Sequence, residues 1–311
     1  MTILAFDIGG TRIKAGLAQG AAVTAMTIVP TTTGQGHTDV LDTVIHLGRQ
    51  LMAGQDVAGI GLCVKGIVDP VGGVLVAVNE VLADWIGRPL AGVIAHALER
   101  PTCLENDARM YTLGEFVHGA GQGSHNMVCL TLGTGIGSGV VLGGRVLRGP
   151  RGTAGILGGQ VTVQVDGQVC TCGNIGCLET LTNAAALVRS AQDVGVRGHA
   201  AVGHDGALTA RQVFAAAAAG DTLALEVVRR FARYLGAGVV TMIHAHDPDV
   251  VVLGGGMAQA AALFLPTVQA YVDAHVWTVP GRRVRVTPAL LGDAAALVGV
   301  AELARGTDLL L

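Results

Sequence analysis

Short apolar runs, each stopped by glycines or a polar turn, alternate in this chain with stretches whose apolar residues return every three or four positions. The first pattern predicts buried strands and the second predicts amphipathic helices. TILAFDIGGTRIKAGLA at 2–18 reads as strand, Gly-Gly-Thr turn and strand, and AAVTAMTIVP at 21–30 adds a third strand. Val40, Leu41, Val44, Ile45, Leu47 and Leu51 repeat at helical spacing over 38–53. Residues 57–78 read as two strands joined through the Asp69-Pro70 turn, 88–98 as a helix, and RPTCLEND as a short strand. ARMYTLGEFV then starts a helix after Asn106 and Asp107. A second module opens with HNMVCLTLGTGIGSGVVLGGRV, again strand, glycine turn, strand. Helices are expected over 180–195, 209–219, 221–245 and 259–275, with strands in DPDVVVLGGGM and RVRVTPALL and a closing helix in DAAALVGVAELARG.

The two halves rhyme. AFDIGGTRIKAG and LTLGTGIGSGVV share strand, glycine-threonine turn and strand. Such a repeat implies duplicated architecture, with a cleft between two α/β modules. Glycine clusters at 9–10, 133–139, 143–144, 152–159 and 254–256, each after an apolar run. That placement suits loops where backbone comes close to a ligand, and successive backbone N–H groups there form an anion-binding concavity. Neither a G-x-x-x-x-G-K-[ST] loop nor a G-x-G-x-x-G strand–helix turn is present.

Composition narrows the function. Charged residues make up 14% of the chain, the net charge is −3 and aromatics are 3%, so neither nucleic acid nor an anionic membrane is an expected partner. No apolar run reaches the ~20 residues that span a bilayer, and the start lacks a basic leader, so the expected location is the cytoplasm. Thiols in that compartment are more often metal ligands or buried fillers than disulfides. Cys63, Cys103 and Cys129 sit in apolar strand-like runs and read as small core residues. Cys170, Cys172 and Cys177 are different. Three thiols within eight positions suit zinc, yet a structural zinc site wants four ligands, and no histidine lies between His125 and His199.

DIGGTRIKAG at 7–16, LENDAR at 104–109, LTLGTGIGSG at 130–139, CTCGNIGCLE at 170–179 and VVLGGG at 251–256 together resemble the ROK family, and the likeness runs on through LGDAAALVGVA at 291–301. That family comprises bacterial sugar kinases and related repressors. The resemblance implies an α/β, two-domain actin/hexokinase-like (ribonuclease H-like) ATPase fold with an interdomain cleft. Its expected domains are residues 1–116, joined by the C-terminal helix at about 293–311, and residues 117–292 with the cysteine cluster. It implies ATP and Mg²⁺ as cofactors, with structural Zn²⁺ at Cys170, Cys172 and Cys177. Gly9, Gly10, Thr11 and Lys14 from one module, and Gly133, Thr134, Gly135 and Gly137 from the other, would hold the phosphates. Gly254, Gly255 and Gly256 would lie against the nucleoside, and Asp7 would orient magnesium through water. Asp107 would be the general base. Asn106, Asp107, Glu179 and Gly66 would bind a sugar whose hydroxyl, O6 of a hexose or modified hexose, accepts the phosphoryl group. The repressor branch carries an N-terminal helix-turn-helix; here the first strand begins at residue 2, so DNA binding is not expected.

The chain also departs from the family pattern. A Glu-Ile-Gly-His segment normally precedes the cysteines, supplying a sugar-binding glutamate and a zinc-binding histidine. Here AGILGGQVTV places Ile156 and Gly159 at those positions. A pocket discriminates by its buried hydrogen-bonding groups, so losing a carboxylate predicts poorer binding of free glucose. With three thiols, the fourth zinc ligand becomes water or another side chain, Asp166 being a near candidate, or else the thiols hold no metal and packing holds the turn. Lys65 stands in LCVKGIVDP, where relatives more often have proline, and reads as a solvated loop lysine. His118, His125, His244 and His246 read as surface or helix-end residues. A regulatory protein that binds a sugar or metabolite with little turnover is the alternative function. A homodimer or higher homo-oligomer is the expected assembly, with the alanine-rich helices at 209–245 either a contact or simply core.

Overall fold

The computed structural model describes residues 1–31, 37–78, 82–196, 208–307 and 309–311. Contacts divide them into two compact units. One comprises Met1–Gly123, Gly139–Ile156 and Leu290–Leu311; the other comprises Ser124–Ser138 and Leu157–Ala289. Residues 139–156, placed by the sequence reading in the second module, thus cluster with the first. Hydrogen bonds give the reason. Val146 and Arg148 pair with the backbone of Leu309 and Leu311, and the Arg109 side chain donates to the carbonyls of Leu147, Gly152 and Ala154.

The chain opens with β1 (Thr2–Ile8), β2 (Arg12–Gln19) and β3 (Ala22–Pro30), followed by α1 (His37–Met52) and β4 (Val57–Val64). The first of the two strands expected over 57–78 is broken: its end, β5 (Ile67–Asp69), leaves β4 and pairs antiparallel with β6 (Val74–Ala77) as a separate hairpin. The break falls at Gly66, whose φ of 115° is open only to glycine and whose missing side chain leaves room for the Ala77 carbonyl. Then come α2 (Leu90–Leu98), β7 (Thr102–Asn106) and α3 (Asp107–His118). The first sheet has the order β3-β2-β1-β4-β7, antiparallel through β1–β3 and parallel from β1 to β7.

Next come β8 (Met127–Leu132), β9 (Ile136–Leu142) and β10 (Arg145–Val146), then α4 (Leu178–Thr182), α5 (Ala184–Asp193), α6 (Ala210–Ala218) and α7 (Thr222–His246). The chain continues through β11 (Val250–Gly254), α8 (Ala261–His275), β12 (Arg285–Pro288) and α9 (Ala295–Ala304). The helix expected over 180–195 is two helices because Asn183 adopts extended backbone and its side chain caps the Ala186 N–H. Thr209 and Gln212 form a reciprocal capping box on α6, and Asp221 caps α7. The second sheet, β10-β9-β8-β11-β12, repeats the strand order of the first, as the rhyme between the halves predicted.

In the first unit α9 lies against β4, β1 and α3. The approach of α3 to α9 is close enough that a Cβ on Gly114 would run into the Ala295 carbonyl, and one on Gly299 into that of Met110. Glu115, fully buried, accepts from the N–H groups of Ala120, Leu290 and Leu291 and so fixes the start of the C-terminal segment on α3. No helix among the described residues is long and apolar enough to cross a membrane.

Candidate active site

Asp107 is the first residue of α3, at the C-terminal end of β7. Asn106 is the helix cap: its Oδ1 accepts from the Arg109 N–H at 2.9 Å. Its amide nitrogen donates to the Gly66 carbonyl at 2.8 Å and to Asp107 Oδ1 at 3.1 Å. The Ala108 N–H also donates to Asp107 Oδ1, at 2.8 Å. The capping pattern and the chemistry therefore coincide. Asn106, Asp107 and Gly66, singled out on the sequence, meet at one place, with both amide hydrogens of Asn106 turned to protein acceptors. Burial pushes the Asp107 carboxyl up to about 6, helped by the nearby negative charge of Asp7 and opposed by the Ala108 N–H and the Lys65 ammonium.

The same local network rests on a buried ion pair. Glu105 and Arg109 are fully buried and joined, and the second Glu105 oxygen takes Arg148 at 2.8 Å. Glu105 Oε1 also accepts the Asn106 N–H. LENDAR is thus one device: the strand end, the helix cap and the segment 147–154 are held by a single guanidinium. The sequence reading left Arg109 unassigned; Glu105 lies in β7 and Arg109 in α3, so no helical spacing joins them.

Asp7 is the last but one residue of β1, directly opposite Lys14 of β2. Lys14 Nζ lies 3.4 Å from Asp7 Oδ2 and 2.8 Å from Asp293 Oδ1. Burial raises the Asp7 carboxyl against the lowering effect of Lys14. Carboxylate oxygens of this kind are the hard donors magnesium takes. The Gly9-Gly10-Thr11 turn between these strands is closed by Gly9 N–H to the Arg12 carbonyl. Thr31 steadies it, donating through Oγ to Gly9 and through its N–H to Thr11. Asp293 was not singled out by the sequence, although it lies in the quoted segment LGDAAALVGVA.

In the second unit, the turn Gly133–Gly137 is tied to Glu179 of α4. The Ile136 N–H donates to Glu179 Oε2 at 2.7 Å, and a Cβ on Gly135 would meet the same oxygen. The Ala184 N–H, at the start of α5, donates to the Gly133 carbonyl. Gly254 ends β11, and Gly255 follows at φ 81°, packed onto the Leu132 backbone where a Cβ would not fit. At Gly256 a Cβ would meet open space.

The three cysteines do converge: their sulfurs all lie within 4.8 Å of one another, with Cys172 and Cys177 at 3.7 Å. Tetrahedral zinc with Zn–S near 2.3 Å separates its sulfurs by about 3.8 Å, so the spacing fits. Among the described residues no fourth His, Cys, Asp or Glu joins the group, so Asp166 stays outside it. Gly159 cannot simply be replaced by a ligand side chain, because a Cβ there would strike the Ile136 carbonyl. Burial drives the Cys177 thiol up to about 12, together with the neighbouring thiols of Cys172 and Cys170. Burial also raises Cys172, but donation from the Asn174 N–H and the adjacent thiols outweighs it and leaves that thiol low. Cys170 Sγ is 4.0 Å from Glu179 Oε1, so the cluster adjoins the carboxylate that holds the glycine turn.

The ROK family profile matches residues 3–307. The chain belongs to the ROK family. It is 34% identical over 308 residues to the glucokinase of Halalkalibacterium halodurans, covering 94% of this chain and 92% of that one. Among solved structures it is similar to a ROK family glucokinase from Streptomyces griseus in complex with glucose and AMPPNP. The TM-score is 0.85 at 30% identity, covering 99% and 100% of the two chains. The ROK hexokinase of Thermus thermophilus follows at 0.79 and 35%, covering 98% of each. The fold is the two-domain actin/hexokinase-like fold of this ROK-family chain's relatives.

Proposed function

We propose that this ROK-family chain is an ATP-dependent sugar kinase in which Asp107 is the general base. Its carboxyl, near pH 6, is ionised at neutral pH yet basic enough to accept a proton from a sugar hydroxyl. What carries the reading is the placement of that carboxylate at the end of β7, held by Asn106 Nδ2 and the Ala108 N–H. The acceptor hydroxyl, O6 of a hexose or modified hexose, loses its proton to Asp107 as its oxygen bonds to the γ-phosphorus of ATP and ADP leaves. Asn106 and the Ala108 N–H hold the carboxylate for this step. The turns at Gly9-Gly10-Thr11 and Gly133–Gly137 would offer backbone N–H groups to phosphate oxygens, and Gly254–Gly256 would border the nucleoside. Magnesium, when bound beside Asp7, neutralises phosphate charge. Glu179 would take a sugar hydroxyl as well as the Ile136 N–H.

Ile156 stands where the family has its sugar-binding glutamate, which supports an acceptor that presents an apolar or acylated face rather than unmodified glucose. The three thiols would hold zinc with a fourth ligand from outside the protein, steadying the loop beside Glu179. Phosphorylation of a panel of free and modified hexoses with ATP tests the function. Turnover on a modified hexose that exceeds turnover on glucose, and that Asp107→Asn lowers by roughly 10²–10⁴-fold, is expected. Sugar binding with no ATP consumption on any acceptor would favour the regulatory reading that the loss of two polar family positions suggests.

A further inference from the structure

Of the twenty lysines and arginines only two are lysine, and both stand at this one group of carboxylates. Lys14 touches Asp7, and Lys65 acts electrostatically on Asp107. A guanidinium grips a carboxylate with a fixed fork, whereas an ammonium is a compact charge on a flexible stem that moves between partners. Lys14 has two partners available. Asp7, whose side chain is 16% exposed, is 3.4 Å away across the hairpin. Asp293, which is 53% exposed, is 2.8 Å away.

We propose that Lys14 is a positioning residue, a resident counter-charge that bridges Asp7 and Asp293 and gives up Asp7 to stay on Asp293 alone when metal-loaded nucleotide binds. The inference rests on the reading of Asp7 as the magnesium-side carboxylate. Two effects follow from one cation. Without metal, Lys14 offsets phosphate charge, so nucleotide still binds. With metal, Lys14 competes for Asp7, so part of the metal's contribution is lost in displacing it. Lys14 therefore reduces the dependence of nucleotide binding on metal. Asp293 works the other way, because it gives the displaced ammonium a place to go.

The opposite signs make the test. AMPPNP binding to the full chain is measured by calorimetry with Mg²⁺ and with EDTA, and the ratio of metal-free to metal-loaded Kd is compared. Lys14→Met is expected to raise that ratio about tenfold, the size of one partly shielded charge contact, and Asp293→Asn to lower it about threefold. A residue that merely supported the hairpin would move both variants the same way. Ratios that shift together, or do not shift, overturn the proposal. Asp293 is half exposed and its amide variant keeps the shape, so it decides the question alone if Lys14→Met does not fold. Wild-type protein that binds no AMPPNP under either condition instead removes the kinase reading, and this inference with it.

Discussion

At the scale of single residues, Asp107 is asked to be two things. Burial and the nearby Asp7 charge favour its neutral form, yet as a base it must be ionised. Its folded carboxyl is raised above the unfolded value, so its contribution to stability is present in acid and lost as pH rises through about 6. Catalysis has the opposite demand. The rate of phosphoryl transfer should fall as pH drops below about 6, with the slope of a single proton, in a pH–kcat profile. Asp107→Asn should accordingly abolish most turnover while stabilising the protein near pH 7 by about 1–2 kcal/mol, read from denaturant unfolding. An unchanged or lower midpoint would mean that the carboxylate is not under the strain its burial implies. Sequence alone could nominate this residue, because Asn-Asp before a helix is a cap in many chains. What distinguishes it is the neighbourhood of Asp7, Lys65 and Gly66, all of them some forty residues or more away from Asp107 in sequence.

Helices and strands impose a second set of demands. The α3–α9 pair packs backbone to backbone at Gly114 and Gly299. Gly299→Ala should cost at least about 1–3 kcal/mol, since the Met110 carbonyl it would meet belongs to a rigid helix. Circular-dichroism melts of that variant, with Gly92→Ala in α2, where a Cβ meets only Pro89 at 3.9 Å, as comparison, check this. Arg109→Met leaves Glu105 buried without its main partner and should destabilise by roughly 3–5 kcal/mol. The cysteine element has its own test. Purified protein should carry zinc that Cys172→Ser releases, and Gly159→His should lower rather than restore metal occupancy because of the Ile136 carbonyl. Elemental analysis of the three proteins decides it. Periodicity found the long helices and the strand–turn–strand modules because those signals are local. It missed the Gly66 and Asn183 breaks, which depend on one backbone angle and one side-chain cap.

Across the whole molecule, two sheets of the same strand order repeat one architecture, and each puts a glycine turn between its first two strands. Ligand should stabilise such a protein by mass action. A nucleotide analogue at 100 times its Kd should add about 2.7 kcal/mol, seen as a rise in Tm that Gly10→Val removes. The amino-acid sequence by itself determined the modules, the turns and the family, because hydrophobic period and glycine placement act over a few residues and survive reading in one dimension. It also supplied the candidate base and the thiol cluster, since each lies in one short segment. Only the tertiary structure decided that residues 139–156 belong with the first unit and that Asn106 spends its amide on Gly66. It alone paired Lys14 with Asp293, almost the whole chain away, and tied Glu179 to a glycine turn. Those outcomes come from hydrogen bonds and ion pairs between distant segments, and a linear pattern carries no record of which distant partner a polar group will meet.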